Sequence, residues 1–344
     1  MIKSIAKSTI RHTAVVAISA SLLLVSSQSA DAQGLGRRNV DVVPANVEIS
    51  YKKGLKFLAT MQSSDGSFSN DRSRYGAQPG VTGICVLAFL AHGEDAEFGP
   101  YAKNIKKGID FILKQQNKNG YIGTSMYNHG FATLALAEAY GMVNDDRLAS
   151  ALKKSVALLT SSQDRNPQGA WRYSPEDMTA DTTVAGCQLV ALLAARNAGI
   201  PVPNKNIDKA LKYLASCRAS NGGYGYTSKS GGKSTLTAIG SLCMSLAKKK
   251  DEKSFDTVTR YLTSRIESGG HHYVFYHEYY MAQALFHANE EEWEKWNEKN
   301  SKVMTASQNP DGGWSDPRLG RSGATGLALL SMALNYRFLP IYEK

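Results

Sequence analysis

A short unit of sequence recurs six times along this chain, and it constrains the fold more than any other feature. In the clearest copy, Gln308 is followed by Gly312 and then by Trp314. The first residues of the six copies lie 43 to 55 residues apart. A repeat of this length indicates one supersecondary unit per copy, either stacked in an array or closed into a ring. Three further copies are formed by Gln62, Gly66 and Phe68, by Gln116 and Gly120, and by Gln163, Gly169 and Trp171. Two weaker copies begin at Arg218 and Arg265.

Each copy lies between two helical patterns. The segment before it is amphipathic: in residues 207–214 the apolar side chains recur at i, i+3, i+4 and i+7. The segment after it is apolar on nearly every side, which is typical of a buried helix. Closing the array into a ring buries all the apolar helices. The sequence therefore predicts an all-α fold, an α6/α6 toroid of six helix hairpins.

The two patterns give predicted boundaries for twelve helices. The outer helices are predicted over residues 47–62, 101–116, 147–163, 206–218, 254–266 and 290–308. The inner helices are predicted over residues 81–91, 130–140, 184–195, 235–247, 279–288 and 324–336.

We interpret the conserved positions within the repeat as structural. The glutamine amide is suited to bind free backbone groups at helix ends, and the aromatic ring is suited to pack under neighbouring helices. Four glycines, Gly83, Gly186, Gly240 and Gly326, fall near the starts of inner helices. Glycine in a helix costs about 1 kcal/mol relative to alanine. Close approach of neighbouring inner helices would explain why glycine occurs at these positions despite that cost.

The first 32 residues have the pattern of a secretory signal peptide. Three basic residues precede an apolar run over residues 14–25, and Ala30-Asp31-Ala32 provides a small-x-small cleavage site before Gln33. We expect export to the periplasm or the medium and no stable membrane span after cleavage. An uncleaved N-terminal anchor is the alternative. Residues 33–46 are predicted to be a flexible lead-in, and residues 47–344 a single toroid domain.

Charge and cysteine content narrow the choice of partners. The net charge of +10 falls to +8 after cleavage, because three basic residues and one acidic residue leave. The basic residues alternate with acidic ones along the outer helices, so no nucleic-acid partner is predicted. The four cysteines have no zinc-ribbon or C-x-x-C spacing and are predicted to be buried free thiols, with disulfides left open. They are Cys85, Cys187, Cys217 and Cys243.

With these motifs in place, the chain resembles a known group of proteins. The Gln-x3-Gly-x-Trp unit followed by an apolar helix resembles the QW repeat of squalene and oxidosqualene cyclases. The β subunits of protein prenyltransferases share that fold. Segments such as 126–141 and 293–297 most resemble exported bacterial prenyltransferase and squalene-oxidase repeat proteins. The resemblance covers residues 47–339 and implies an α/α toroid with a central apolar cavity.

The resemblance also implies specific acid chemistry, which the residues do not fully supply. Class II terpenoid cyclases protonate their substrate with a buried aspartate of a D-x-D-D motif. The nearest candidates here are Asp177 and Asp181, four residues apart. The alternative is that Asp181 caps the following helix, since an aspartate before Thr-Thr-Val is a common helix start.

A second implied chemistry is zinc binding. Protein prenyltransferases hold zinc with Asp, Cys and His, and the segment 276–280 resembles the one that carries their histidine. His277 matches that ligand position and is the one candidate for a metal ligand. Together with Asp177 and Asp181 it is also a catalytic candidate. The Asp-x-Cys pair is absent, so no zinc and no other cofactor is predicted. His271 and His272 lie close to His277 in sequence, and a packed aromatic rim is the alternative interpretation of this segment.

By the symmetry of the repeat, the residues just before the inner helices should face one end of the ring. That composition suits a ligand with an apolar body and a polar head, and it also suits a carbohydrate. The predicted rim consists of Arg74, Tyr75, Tyr127, His129, Trp171, Tyr173, His272, Tyr276, Tyr280 and Arg321.

Three functions remain open from the sequence. The first is a terpenoid cyclase or prenyltransferase acting on an apolar substrate. The second is a non-catalytic exported binding or scaffold protein. The third is a carbohydrate-active enzyme, similar to a polysaccharide lyase, on a helical toroid.

Overall fold

The computed structural model describes residues 43–68, 78–266 and 272–343, and this part of the chain forms twelve α-helices and no β-strand. The amphipathic helices are α1 (Ala45–Met61), α3 (Ala102–Lys114), α5 (Arg147–Arg165), α7 (Asn204–Ser216), α9 (Lys253–Thr263) and α11 (Glu290–Ser307). The apolar helices are α2 (Pro79–Ala91), α4 (Met126–Ala139), α6 (Thr182–Asn197), α8 (Ser234–Leu246), α10 (Val274–Ala288) and α12 (Gly320–Met332). The predicted signal peptide and most of the predicted lead-in lie outside the described residues.

The even-numbered helices form a closed inner ring. Each packs against the next, from α2 through α12, and α12 packs back against α2. The odd-numbered helices surround this ring. Each lies mainly against the inner helix that precedes it in the chain, and α1 lies against α12. The predicted α6/α6 toroid is therefore confirmed.

Glycines allow the inner helices to approach closely, as the sequence predicts. A Cβ atom on Gly186 would lie 2.0 Å from Ile239 Cγ2 in α8, and one on Gly326 would lie 2.7 Å from Ile84 Cγ2 in α2. Gly240 differs, because its nearest neighbour is the ring of Tyr224, the aromatic residue of the fourth repeat.

The repeated glutamines connect neighbouring outer helices. Gln308 Nε2 donates to the carbonyl of Gly312 in its own turn, at 2.7 Å, and to the carbonyl of Ser50 in α1, at 2.8 Å. This second bond joins the last repeat to the first. Gly312 has a φ of +93°, and a Cβ atom there would lie 2.6 Å from the carbonyl oxygen of Lys53. The same pair of bonds is made by Gln62 to Gly66 and Asn104, by Gln116 to Gly120 and Ala151, and by Gln163 to Gly169 and Asn206.

The aromatic residues of the repeat are fixed inside the wall. Trp314 Nε1 donates to the carbonyl of Met304 at 3.0 Å, and Trp171 Nε1 donates to the carbonyl of Leu159 at 2.9 Å. Phe68 is fully buried as well. Trp171 therefore lies in the wall, although the sequence analysis also placed it on the rim.

Aromatic side chains meet across the middle of the ring. The ring of Phe131 in α4 lies 6.1 Å from that of Tyr279 and 6.4 Å from that of Tyr276, both in α10. Helices α4 and α10 are not neighbours in the ring, so these contacts cross its centre. Where the sequence analysis expected an apolar hollow, these side chains pack together.

A C-terminal 3₁₀ turn, Pro340–Tyr342, packs against the inner helix α6. Ile341 N–H donates to Oε2 of Glu138 at 3.1 Å, and both residues are buried. Since Glu138 lies in the last turn of α4, this turn occupies the end of the ring formed by the C-termini of the inner helices.

The inner helices begin earlier than predicted. Helix α4 begins at Met126 and α10 at Val274, four and five residues before the predicted starts. Polar and aromatic side chains in these first turns interrupt the apolar pattern that marks the rest of each helix. As a result, Tyr127, His129 and His277 lie within the first turns of inner helices. No helix among the described residues is long and apolar enough to cross a membrane.

Candidate functional site

The N-termini of the inner helices all lie at one end of the ring, which we call the mouth. Polar and aromatic side chains from α4, α6 and two connecting loops come together there. We call this group the mouth cluster; it consists of Tyr127, Arg172, Tyr173, Asp181, Thr183 and Tyr226.

Backbone hydrogen bonds hold the two loops against the inner helices. The carbonyl of Tyr173 accepts from Met126 N–H at the start of α4, at 2.8 Å. In the next repeat, the carbonyl of Tyr226 accepts from Thr182 N–H at the start of α6, also at 2.8 Å. Because both tyrosines follow the repeat aromatic by two residues, the repeat places them at equivalent positions around the mouth.

Asp181 caps α6, as the alternative interpretation of the sequence proposed. Its Oδ1 accepts from Thr183 N–H at 3.0 Å and from Val184 N–H at 2.9 Å. The side chain is 0% exposed, and its Oδ2 has no hydrogen-bond partner among the described residues. Arg172 Nε lies 3.9 Å from this oxygen. Asp181 therefore retains acceptor capacity beyond its role as a cap.

Tyrosines line the cluster. The hydroxyls of Tyr173 and Tyr226 lie 2.5 Å apart, and these residues remain 47% and 37% exposed. The hydroxyl of Tyr127 lies 2.6 Å from Thr183 Oγ1. Burial, together with the charge of Asp181, raises the pKa of Tyr127 well above its usual value. The phenol of Tyr127 therefore remains a protonated hydrogen-bonding group near neutral pH.

Arg172 connects the carboxylate to the aromatic surface. Its guanidinium carbon lies 5.4 Å from the centroid of the Tyr173 ring, and its Nη1 donates to Thr179 Oγ1 at 3.2 Å. The cluster thus combines exposed aromatic faces, hydroxyls, a cation and a buried carboxylate within one patch.

His129 does not belong to the mouth cluster. Its Nδ1 accepts from Ile122 N–H at 3.2 Å, and its Nε2 lies 3.4 Å from the carbonyl of Ser155 in α5. Burial lowers the pKa of His129 to about 4. It is therefore a neutral histidine that holds the second repeat turn against the outer wall.

The other predicted rim residues are dispersed. Arg321 binds both carboxylate oxygens of Asp311 at 2.6 and 2.7 Å, and its guanidinium lies over the ring of Phe57. His272 is exposed, and its carbonyl accepts from Arg318. Tyr280 is buried in the aromatic contacts at the ring centre, next to Tyr276. Arg74 and Tyr75 lie outside the described residues.

The other two catalytic candidates, Asp177 and His277, already make hydrogen bonds within the protein. Asp177 Oδ2 accepts from Ser174 N–H at 2.9 Å, within its own loop. His277 is buried, with Nδ1 2.8 Å from Thr235 Oγ1. No group of three potential metal ligands occurs within residues 43–68, 78–266 and 272–343. His271 lies outside those ranges. All four cysteines are buried thiols, and none forms a disulfide.

The predicted site residues lack three members of the cluster, Arg172, Thr183 and Tyr226. A signal for Tyr226 was present, because it follows Tyr224 by the same two residues that separate Tyr173 from Trp171. The weak fourth repeat concealed that equivalence. Thr183 carried no comparable signal, since its hydroxyl is placed by the geometry of the Asp181 cap.

Comparisons with known proteins agree with this fold. The model of a family described as a domain of unknown function (DUF6288) matches residues 51–328. No curated protein sequence matches the chain. An α-1,6-mannanase of Salegentibacter sp. with bound α-1,6-mannotriose is a similar solved structure, with a TM-score of 0.65, 11% identity, and coverage of 84% of this chain and 99% of that one. The type II terpene cyclase MstE from Scytonema is similar with a TM-score of 0.59, 14% identity, and coverage of 86% and 99%.

Proposed function

Because the chain belongs to the DUF6288 family, whose description names no activity, we propose its function from its own residues: it binds an oligosaccharide at the mouth of the toroid. The observation that carries this proposal is the mouth cluster. Two partly exposed tyrosines, Tyr173 and Tyr226, lie beside the buried carboxylate of Asp181, which has an unused acceptor oxygen.

The chemistry of the cluster fits a sugar. Tyrosine offers an apolar face together with a hydroxyl that donates and accepts. Arg172 adds a charged donor, and charged donors make the stronger hydrogen bonds. Asp181 is fully buried and lies 3.9 Å from Arg172 Nε, so it stabilises the guanidinium from within the protein. A sugar ring presents apolar C–H faces and many hydroxyls, so each of these groups finds a complement.

The ring centre favours a sugar over a polyprenyl chain. A long apolar substrate requires an apolar channel, but Phe131 packs against Tyr276 and Tyr279 across the centre. The D-x-D-D acid of the terpenoid cyclases is also absent from the sequence. Both observations support a ligand at the surface of the mouth rather than in the centre of the ring.

The carboxylates favour binding over hydrolysis. Glycosidases generally use two carboxyl groups that flank the bond to be cleaved. Asp177 already accepts from the amide of Ser174, and Asp181 already caps α6. In the mannanase, an inactive variant replaces two consecutive aspartates. The one such pair in this sequence, Asp145-Asp146, follows α4 at the opposite end of the ring from the mouth.

We further propose that the protein is exported after cleavage between Ala32 and Gln33, which would bring it into contact with extracellular glycans. The support is the sequence pattern of residues 1–32. Mass spectrometry of the protein recovered from its native host should give a chain that begins at Gln33. Recovery of a chain that retains residues 1–32 in the membrane fraction would contradict export.

Isothermal titration calorimetry on residues 33–344 tests the binding proposal. The probes are α-1,6-mannotriose, a panel of other neutral oligosaccharides, and geranylgeraniol. We expect at least one oligosaccharide to bind and the double variant Tyr173→Ala/Tyr226→Ala to weaken that binding about tenfold or more, because the stacking faces are lost. The matched control is Tyr140→Ala, an equally exposed tyrosine at the other end of α4. Binding of geranylgeraniol without any sugar, or equal effects of both variants, would contradict the proposal.

A further inference from the structure

The two weakest copies of the repeat alter the outer wall on either side of α9. At the other four copies, a glutamine amide binds the next outer helix. Arg218 replaces the glutamine before α9, and its Nη1 instead lies 3.6 Å from Met244 Sδ. Arg265 replaces the glutamine after α9, and its guanidinium carbon lies 3.9 Å from the centroid of the Tyr261 ring.

The packing of α9 also differs from that of several other outer helices. Helix α1 packs against α11, α3 against α5, and α5 against α7, whereas α9 packs chiefly against the inner helices α8 and α10. A groove of about 330 Å³ runs along α9. It is lined by Asn221, Thr257, Arg260, Tyr261, Ser264 and Arg265.

The lining combines two arginines with neutral hydrogen-bonding groups. Five of the six residues lie at positions 257, 260, 261, 264 and 265, which form one stripe along α9 and the turn that follows it. Arg260, Ser264 and Arg265 are exposed on this stripe. Arg265 Nη1 donates to Ser264 Oγ at 3.3 Å, and Ser264 Oγ donates in turn to the carbonyl of Tyr261 at 2.9 Å, so Ser264 helps to hold the guanidinium in the groove.

Tyr261 gives the groove a fixed floor. Its side chain is buried, and its hydroxyl donates to the carbonyl of Gly232 at 2.8 Å. Arg265 stacks on the face of this ring, which restricts the guanidinium and reduces the entropy lost when it binds a ligand. Arg260 makes only long contacts with Asp256 O and Thr257 Oγ1, both at 3.4 Å, so its guanidinium can reorient toward a stronger acceptor.

We infer that this groove is a binding site for an oxyanion, that is, a sulfate, phosphate or carboxylate group. Two guanidinium groups offer paired N–H donors whose planar geometry matches oxyanions. The side-chain amide of Asn221 adds a neutral donor. The site uses residues separate from the mouth cluster, so it does not depend on the proposed sugar binding.

NMR of the arginine side chains tests this inference directly. The Nε–Hε signals of Arg260 and Arg265 should shift in a saturable way when the protein of residues 33–344 is titrated with inorganic sulfate, inorganic phosphate or trigalacturonate at low salt. Maltotriose serves as the uncharged comparison. Tighter binding of trigalacturonate than of the inorganic ions would identify a charged polysaccharide as the source of the group, and the reverse order would identify a free ion.

A pair of variants separates the groove from general electrostatic attraction. Arg260→Ala/Arg265→Ala should weaken anion binding about tenfold or more, because both charged donors are lost. Lys153→Ala/Lys154→Ala removes the same charge from exposed positions on α5 and should leave binding nearly unchanged. Circular dichroism melts confirm that both variants fold. Linear shifts without saturation, or equal weakening by both pairs, would overturn the inference.

Discussion

At the scale of single residues, the repeat assigns one role to different side chains. Thr237 Oγ1 accepts from Tyr224 N–H, and Thr325 Oγ1 accepts from Trp314 N–H. His129 Nδ1 does the same for Ile122 N–H in the second repeat. The sequence analysis assigned His129 to the mouth because it directly precedes the predicted start of the second inner helix. Its actual role depends on a turn contact that residue type alone does not reveal.

His129 should make the protein sensitive to acid. Its folded pKa of about 4 lies below its ordinary value of 6.5, because burial disfavours the charged ring. The unfolded state therefore takes up the proton first, and stability present above pH 6.5 is lost as the pH falls towards 4, by up to about 3 kcal/mol. Because Glu138 contributes the opposite pH dependence, the variant is compared with the wild type: on going from pH 7 to pH 4.5 in urea unfolding, His129→Gln should lose less stability than the wild type, or gain more. His272→Gln, at an exposed site, should keep the wild-type slope; an unchanged slope in His129→Gln would contradict the assignment.

At the scale of elements, helix types were predictable and helix starts were not. The apolar pattern predicts that the even-numbered helices, α2 to α12, are buried. The first turns of α4 and α10 carry polar side chains that interrupt this pattern, so their starts were misplaced. The C-terminal turn Pro340–Tyr342 is too short to have a period at all. It is held by the packing of Ile341 and Tyr342 and by the hydrogen bond to Glu138. The local sequence predicts none of these contacts.

Glu138 should couple this turn to pH. Burial raises its pKa to about 8, so the folded state keeps the proton that the unfolded state loses above pH 4.5. Stability should therefore fall as the pH rises from about 4.5 to 8, by up to about 5 kcal/mol. Glu138→Gln keeps an acceptor for Ile341 N–H and should remove most of this decline in urea unfolding. Glu298→Gln, which is exposed and paired with Lys302, is the control; a decline of equal size in both variants would show that Glu138 ionises normally.

At the scale of the whole molecule, the toroid followed from periodicity, whereas the site did not. Six equal units with one buried helix each leave few architectures other than a ring. The mouth cluster depends instead on which loop residues meet: Tyr173 and Asp181 follow the third copy of the repeat, and Tyr226 follows the fourth. Their proximity is set by the packing of these two neighbouring units, which periodicity alone does not specify.

Ring closure should contribute measurably to stability. Gln308→Ala removes the amide that binds the carbonyls of Ser50 and Gly312, leaving partly buried acceptors without this donor. We expect a loss of about 1–3 kcal/mol in the free energy of unfolding, measured by urea denaturation. Gln115→Ala, at an exposed position at the end of α3, should change it by less than about 0.5 kcal/mol. Equal effects of the two substitutions would argue that the bond to α1 contributes nothing.

The bond from Gln308 to Ser50 also limits how such a protein can evolve. An open solenoid grows or shrinks by gaining or losing one repeat, because its ends are free. Here a seventh hairpin would have to be inserted between two units that are already hydrogen-bonded to each other. The inner helices would then no longer meet around a common axis. Duplication is therefore a poor source of novelty for this architecture. New chemistry must come from drift inside existing hairpins, as the arginines beside α9 illustrate.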